Sequence, residues 1–155
     1  MKFPCLISLL VIATLASCTH ETRVMESVYP DGSPKRECVY TGNGPSRQLV
    51  RETTWYPKKK IQMTGEYKNS LRDGRWVYYR ENGNIWSEGY FTKGKSEGKR
   101  LIYHENGKIY IEGTYKDGRP VGDWKFYDEK GNLVKPKDSA KDPEHMLRPV
   151  LKRPN

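Results

Sequence analysis

The chain has 155 residues, 35% hydrophobic and 30% charged, and its 28 Lys and Arg against 19 Asp and Glu give a formal charge of +9. That length holds one domain, and so small an apolar share leaves a thick two-layer core hard to fill. Burial falls to aromatics, since 11 Tyr and 4 Trp outweigh 3 Phe; a tyrosine buries its ring while its hydroxyl stays wet, which suits a thin sheet.

Residues 1–17 carry one lysine, then an apolar run from Leu6 to Leu15 broken by Ser8 and Thr14, then Ala16 and Ser17. A hydrocarbon core needs roughly 20 apolar residues as a helix, so this shorter run reads as an export signal, removed from the mature protein. Leu15-Ala16-Ser17-Cys18 resembles the lipobox of bacterial lipoproteins. The resemblance implies cleavage after Ser17, acyl chains on Cys18 and a protein that sits on a membrane without spanning it. Thr19, in place of Asp, resembles the routing to the outer membrane of a Gram-negative envelope. Cys5 leaves with the signal and Cys18 is lipidated, so Cys38 stays unpaired and is expected to be a small buried hydrophobe. Residues 18–28 are expected to tether lipid to sheet.

From residue 29 to 134 the chain repeats with a period of 24: Tyr79, Tyr103 and Tyr127; Gly83, Gly107 and Gly131; Gly74, Gly98 and Gly122; Gly65, Gly89 and Gly113. A period of that size predicts an array of one supersecondary unit. The unit from Gly74 has two runs rich in aromatic and β-branched residues, Trp76 to Tyr79 and Ile85 to Phe91, around Asn82-Gly83. Asn-Gly is the strongest short-range hairpin signal and predicts a type I′ turn. The next unit repeats it around Asn106-Gly107, and a further strand, Trp124 to Tyr127, turns at Lys130-Gly131 and ends in Leu133-Val134. Lys58-Lys59-Lys60 stands where Asn-Gly would be, which predicts a different turn, and a degenerate unit runs from Tyr29 to Tyr40. Lys93 to Gly98 and Asp117 to Gly122 read as longer loops. The fold class is all-β, an extended antiparallel meander of hairpins. After Val134 the chain becomes charged and carries four prolines, so 135–155 reads as a disordered tail.

Period-2 alternation puts Ile61, Ile85 and Ile109 on one side with Gly65, Gly89 and Gly113 and with Tyr67, Phe91 and Tyr115, the side expected to be buried. A glycine there leaves room for a neighbouring strand's aromatic ring to lie across the backbone, and a bulge at the glycine fits the sequence nearly as well. Trp86, Tyr90 and Tyr110 alternate away from it and, with Arg80, Lys99 and Arg100, form the candidate binding surface.

Glu112-Gly113-Thr114-Tyr115, Gly118, Gly122, Trp124 and Tyr127 resemble the MORN repeat in its bacterial variant form, as do Glu88-Gly89-Tyr90-Phe91, Gly94, Gly98 and Tyr103, with Arg100 in place of the tryptophan. The resemblance implies a sheet of repeated hairpins used for protein or lipid contact. Bacterial proteins of this type are often labelled as antitoxin components of toxin-antitoxin systems, a role that fits a lipobox poorly because a cytoplasmic toxin would not meet an exported protein.

Glu88 and Glu112 occupy equivalent places two strands apart, a separation compatible with an inverting glycosidase, but the repeat imposes that spacing whatever the function, and each is expected to pair with a cross-strand Lys or Arg. His20, His104 and His145 match no metal-ligand spacing, and no nucleophile elbow or phosphate loop occurs, so neither metal, cofactor nor catalysis is expected. Basic residues interleaved with aromatics suit single-stranded nucleic acid, which export argues against. The expectation is a lipid-anchored binding module at the cell envelope, with a protein partner or an anionic envelope component.

Overall fold

The computed structural model describes residues 20–135; the segment expected to be a signal, Cys18 and residues 136–155, expected to be a tail, lie outside them. The described residues form ten strands: β1 (Glu21–Val28), β2 (Pro34–Thr41), β3 (Gln48–Trp55), β4 (Ile61–Lys68), β5 (Leu71–Tyr79), β6 (Ile85–Thr92), β7 (Lys95–Tyr103), β8 (Ile109–Lys116), β9 (Arg119–Tyr127) and β10 (Leu133–Val134). Each pairs antiparallel with its sequence neighbours, in the order β1 to β10, so the sheet is an open meander and not a barrel. The segment expected to be a tether contains β1, which pairs with β2 from Glu21↔Thr41 to Val28↔Pro34. Its alternation is hidden by charges on both faces, and β2 supplies the partner.

Turn chemistry is the reverse of the sequence expectation. The two-residue turns Asn69-Ser70, Lys93-Gly94 and Asp117-Gly118 have both central φ positive, between 50° and 82°, which is the type I′ signature. They join strands directly, Thr92 pairing with Lys95 and Lys116 with Arg119, so no longer loops occur there and Gly98 and Gly122 lie within strands. At Asn82-Gly83 only Gly83 is left-handed, with φ 94°. The Gly83 amide donates to the Arg80 carbonyl at 2.9 Å and the Arg80 amide to the Asn84 carbonyl at 2.9 Å. This is a three-residue loop, a type I turn closed by a glycine bulge. Asn82 Oδ1 holds it by accepting from the Asn84 amide at 2.9 Å. The same pattern closes Tyr29 to Ser33, His104 to Lys108 and Asp128 to Asn132. In the lysine turn, Lys58 and Lys59 take the left-handed conformation.

The loops at Arg80 and His104 and the lysine turn are each followed by a one-residue bulge, whereas the loop at Asp128 is not. Tyr78 is opposite Ser87 while Tyr79 is opposite Ile85, so Trp86 is the extra residue; Tyr110 is the extra residue after Tyr103↔Ile109, and Gln62 after Trp55↔Ile61. The bulge resets alternation. Ile61, Ile85 and Ile109 therefore leave the glycine side, Ile61 being 41% exposed, and Trp86 and Tyr110 turn onto it. Trp86 packs against both buried clusters, Met63, Trp76, Tyr78 and Phe91 in one and Ile102, Ile111, Tyr115 and Phe126 in the other.

One row crosses the sheet through Cys38, Glu52, Gly65, Trp76, Gly89, Arg100 and Gly113, each opposite the next. Glycines alternate there with large side chains, as the sequence suggested. A β-carbon on Gly65 would lie 2.1 Å from the Trp76 ring, and one on Gly113 2.2 Å from the Trp124 ring, so each indole rests directly on glycine backbone. Tyr67 meets Trp76 edge-on at 5.3 Å, Phe91 meets it at 5.9 Å, and Tyr115 meets Trp124 at 5.3 Å. Such pairs contribute about 0.5–1.5 kcal/mol each beyond area burial. Trp76 Nε1 donates to the Glu66 carbonyl at 3.1 Å, which satisfies its buried polar atom.

Gly65→Ala and Gly113→Ala should each cost about 1–3 kcal/mol by overpacking, and Trp76→Ala about 3–5 kcal/mol. Urea denaturation followed by circular dichroism checks this; unchanged midpoints for the glycine variants would refute the stacking.

Candidate functional site

The expected binding residues fall into three places. Tyr90, 48% exposed and opposite Arg75, and Lys99, which pairs with Glu112 at 2.9 Å, lie on the face away from the glycine row. Arg100 is buried within that row at 4% exposure, and Trp86 and Tyr110 are half-buried against the clusters beside it. Arg80 sits on the rim of three-residue loops, its guanidinium 5.9 Å above the Trp86 ring. The six do not make one patch, because the bulges move Trp86 and Tyr110 off the face that strict alternation gave them. Cys18 lies outside the described residues.

On the outward face the carboxylates are engaged as the sequence expected. Glu88 accepts from Arg75 Nε at 2.7 Å and from the Tyr103 hydroxyl at 2.6 Å, and Glu112 accepts from Lys99 and, at 3.4 Å, from Tyr127. Burial alone would lift the Glu88 carboxyl, but the Tyr103 hydroxyl and Arg75 guanidinium outweigh it and hold it below the ordinary carboxylate value. Burial, and then the hydrogen bond to Glu88, push Tyr103 up to about 12. A glycosidase acid must instead hold its proton near neutrality, so this pair is structural. Among the described residues no group of three or more His, Cys, Asp or Glu is placed to hold a metal. Cys38 is fully buried, and burial raises its thiol pKa, as suits an inert small hydrophobe.

The three-residue-loop rim holds a feature that the sequence reading missed. The residue that opens each loop donates across to the next repeat: Tyr29 Oη to the Trp55 carbonyl at 2.7 Å, Tyr56 Oη to Tyr79 at 2.9 Å, Arg80 Nη2 to Tyr103 at 2.8 Å, with His104 Nε2 at 2.8 Å from the Tyr127 carbonyl. Asn84 and Asn106 add amide bonds to the Glu105 and Glu129 carbonyls at 3.2 and 2.9 Å. Tyr56, Arg80, His104 and Asp128 are spaced by 24, so a signal existed, but their chemical dissimilarity concealed it. The fourth, Asp128, turns back on its own loop and accepts from the Lys130 and Asn132 amides at 2.9 and 2.8 Å. Beside this ladder a cleft of about 380 Å³ is lined by Tyr56, Tyr79, Arg80, Glu81, Asn82, Trp86 and Glu105.

The family model for the MORN repeat variant matches residues 72–93, 96–117 and 120–135. Residues 72–135 form a MORN-repeat-variant domain. Each matched MORN unit is one hairpin, β5–β6, β7–β8 or β9–β10, closed by a three-residue loop. Strands β1 to β4 lie outside the match yet continue the same sheet. No curated protein matches the chain significantly. The repeats at 72–135 and the single continuous sheet make the described residues an all-β repeat array, an architecture consistent with a binding or scaffold role.

Because the folded state holds Glu88 below its unfolded value, its contribution is present above the unfolded pKa and is lost as pH falls through the folded one. Glu88→Gln should lower stability at pH 7 and flatten the decline between about pH 5 and 3. Chemical denaturation across that range checks it; equal acid slopes in variant and wild type would remove the linkage.

Proposed function

We propose that this MORN-repeat sheet is a non-catalytic docking module for a protein partner, exported and held at the outer membrane by acyl chains on Cys18. The reading rests chiefly on the open sheet: ten strands in one layer present two long faces and two rims in place of an enclosed reaction chamber. The lipobox-like Leu15 to Cys18 supports the anchor. Strand β1 begins at Glu21, three residues past Cys18. A peptide of that length spans at most about 11 Å, so the acylated cysteine would hold the β1 end of the sheet close to the lipid surface. The net charge of +9 suits an anionic headgroup layer, where each nearby Lys or Arg contributes about 1 kcal/mol.

Palmitate labelling and membrane fractionation test the anchor: wild type should label and sediment with envelope, and Cys18→Ala should do neither. An unlabelled cytoplasmic wild-type product would discard the anchor and favour an antitoxin-like partner protein. For docking, mature protein pulled through envelope extract should retain a partner, and Tyr90→Ala with Arg80→Ala should lower recovery at least tenfold. Recovery unaffected by those substitutions would move the interface elsewhere.

A further inference from the structure

In the row where indoles lie on glycine, one position breaks the pattern. Trp76, Arg100 and Trp124 are equivalent by the 24-residue period. Arg100 takes the same pose as the tryptophans: a β-carbon on Gly89 would lie 2.9 Å from both its Cδ and its Nη1, so the side chain lies flat on the glycine backbone. It is 4% exposed, and its Nε and Nη2 have no hydrogen-bond partner. A guanidinium stays charged in proteins, and buried charges are ordinarily paired.

The neighbours deepen the anomaly. Ser87, fully buried on the same face two residues from Gly89, also has a hydroxyl without a partner. Arg72, half-buried, stacks at 4.1 Å on Trp76 and donates from Nη1 to the Tyr78 hydroxyl at 3.3 Å. The Tyr78 ring lies 5.9 Å from the Arg100 guanidinium. Burial depresses the Arg100 pKa, the Tyr78 and Tyr115 hydroxyls oppose it, and the like charge of Arg72 adds to the depression. Two guanidiniums thus gather on an aromatic face, with unused N–H donors on the buried one and an unused hydroxyl two residues along the strand that faces it.

We propose that Arg100, Arg72 and Ser87 form a binding site for a small oxyanion, a carboxylate or phosphate group, walled by Tyr78 and Phe91. Arginine presents a planar fork of donors that matches such groups. Arg72 is the partly exposed member and Arg100 the buried one, so the anion would meet Arg72 first and bring an acceptor to the unpartnered Nε and Nη2 donors of Arg100. The site does not depend on the lipid anchor or on the docking reading.

Arg100→Trp is the decisive variant, because Gly89 lacks the β-carbon that an indole would meet and the neighbouring repeats already carry tryptophan there. Full-chain protein is titrated with inorganic phosphate, with acetate and with sodium chloride at matched ionic strength, following melting temperature and the Arg Nε–H nuclear magnetic resonances. Phosphate, acetate or both should raise the wild-type melting temperature beyond chloride and shift the Arg100 resonance; the effective anion identifies its class. Arg100→Trp should melt higher than wild type without anion and lose the response, and Arg72→Met should weaken anion affinity at least tenfold. Chloride matching both anions in wild type, a response retained in Arg100→Trp, or an Arg100→Trp protein less stable than wild type would each overturn the site.

Discussion

A single-layer sheet has no second layer to cover it, so it must bury apolar surface against its own backbone. Removing the β-carbon at Gly65 and Gly113 makes this possible: the Trp76 and Trp124 rings come within van der Waals contact of the neighbouring strand and cover its peptide groups. The cost is the flexibility of glycine in a strand interior, about 0.5–1 kcal/mol relative to alanine. Burial of a large aromatic, with flanking rings at 5.3 to 5.9 Å, offsets it. Tyr67, Phe91 and Tyr115 are then not independent core residues but the edges against which the row of indoles is fixed.

The architecture was legible because the period of 24 and the paired glycines survive in plain sequence. The glycine row was visible for the same reason, but its use was not, since a bulge explains a recurring strand glycine nearly as well as a ring stacked on it until the indoles are seen on Gly65 and Gly113. Faces were harder. A one-residue bulge leaves no compositional mark, and Trp86 and Tyr110 look like outward residues by parity although each packs against a buried cluster. The turns misled similarly: Asn82-Gly83 has the composition of a two-residue turn, but Glu81 ahead of it lengthens the loop to three and leaves only Gly83 left-handed. Strand β1 escaped notice because Glu21, Arg23 and Glu26 make it resemble a solvated linker, and only pairing with β2 makes it a strand.

The rim ladder was least legible because its place in the repeat changes chemistry along the array. Tyr29 and Tyr56 use a phenol, Arg80 a guanidinium and His104 an imidazole, yet all reach the next repeat's carbonyl at 2.7 to 2.9 Å. What is kept is reach and a polar tip, which composition does not record. Arg100 is the opposite case, an obvious departure in sequence whose meaning depends on the unsatisfied nitrogens that only coordinates reveal.

Asp128 interrupts the bonds that run from loop to loop along the rim. Every earlier occupant of its place passes a bond forward, whereas a carboxylate has no proton to give at neutral pH and spends its oxygens on its own loop. A further hairpin stacked beyond β10 would meet at that rim a negative charge facing a carbonyl oxygen. The ladder of forward bonds thus stops at this copy for a chemical reason, and carrying it further would begin by exchanging that one acid for a donor.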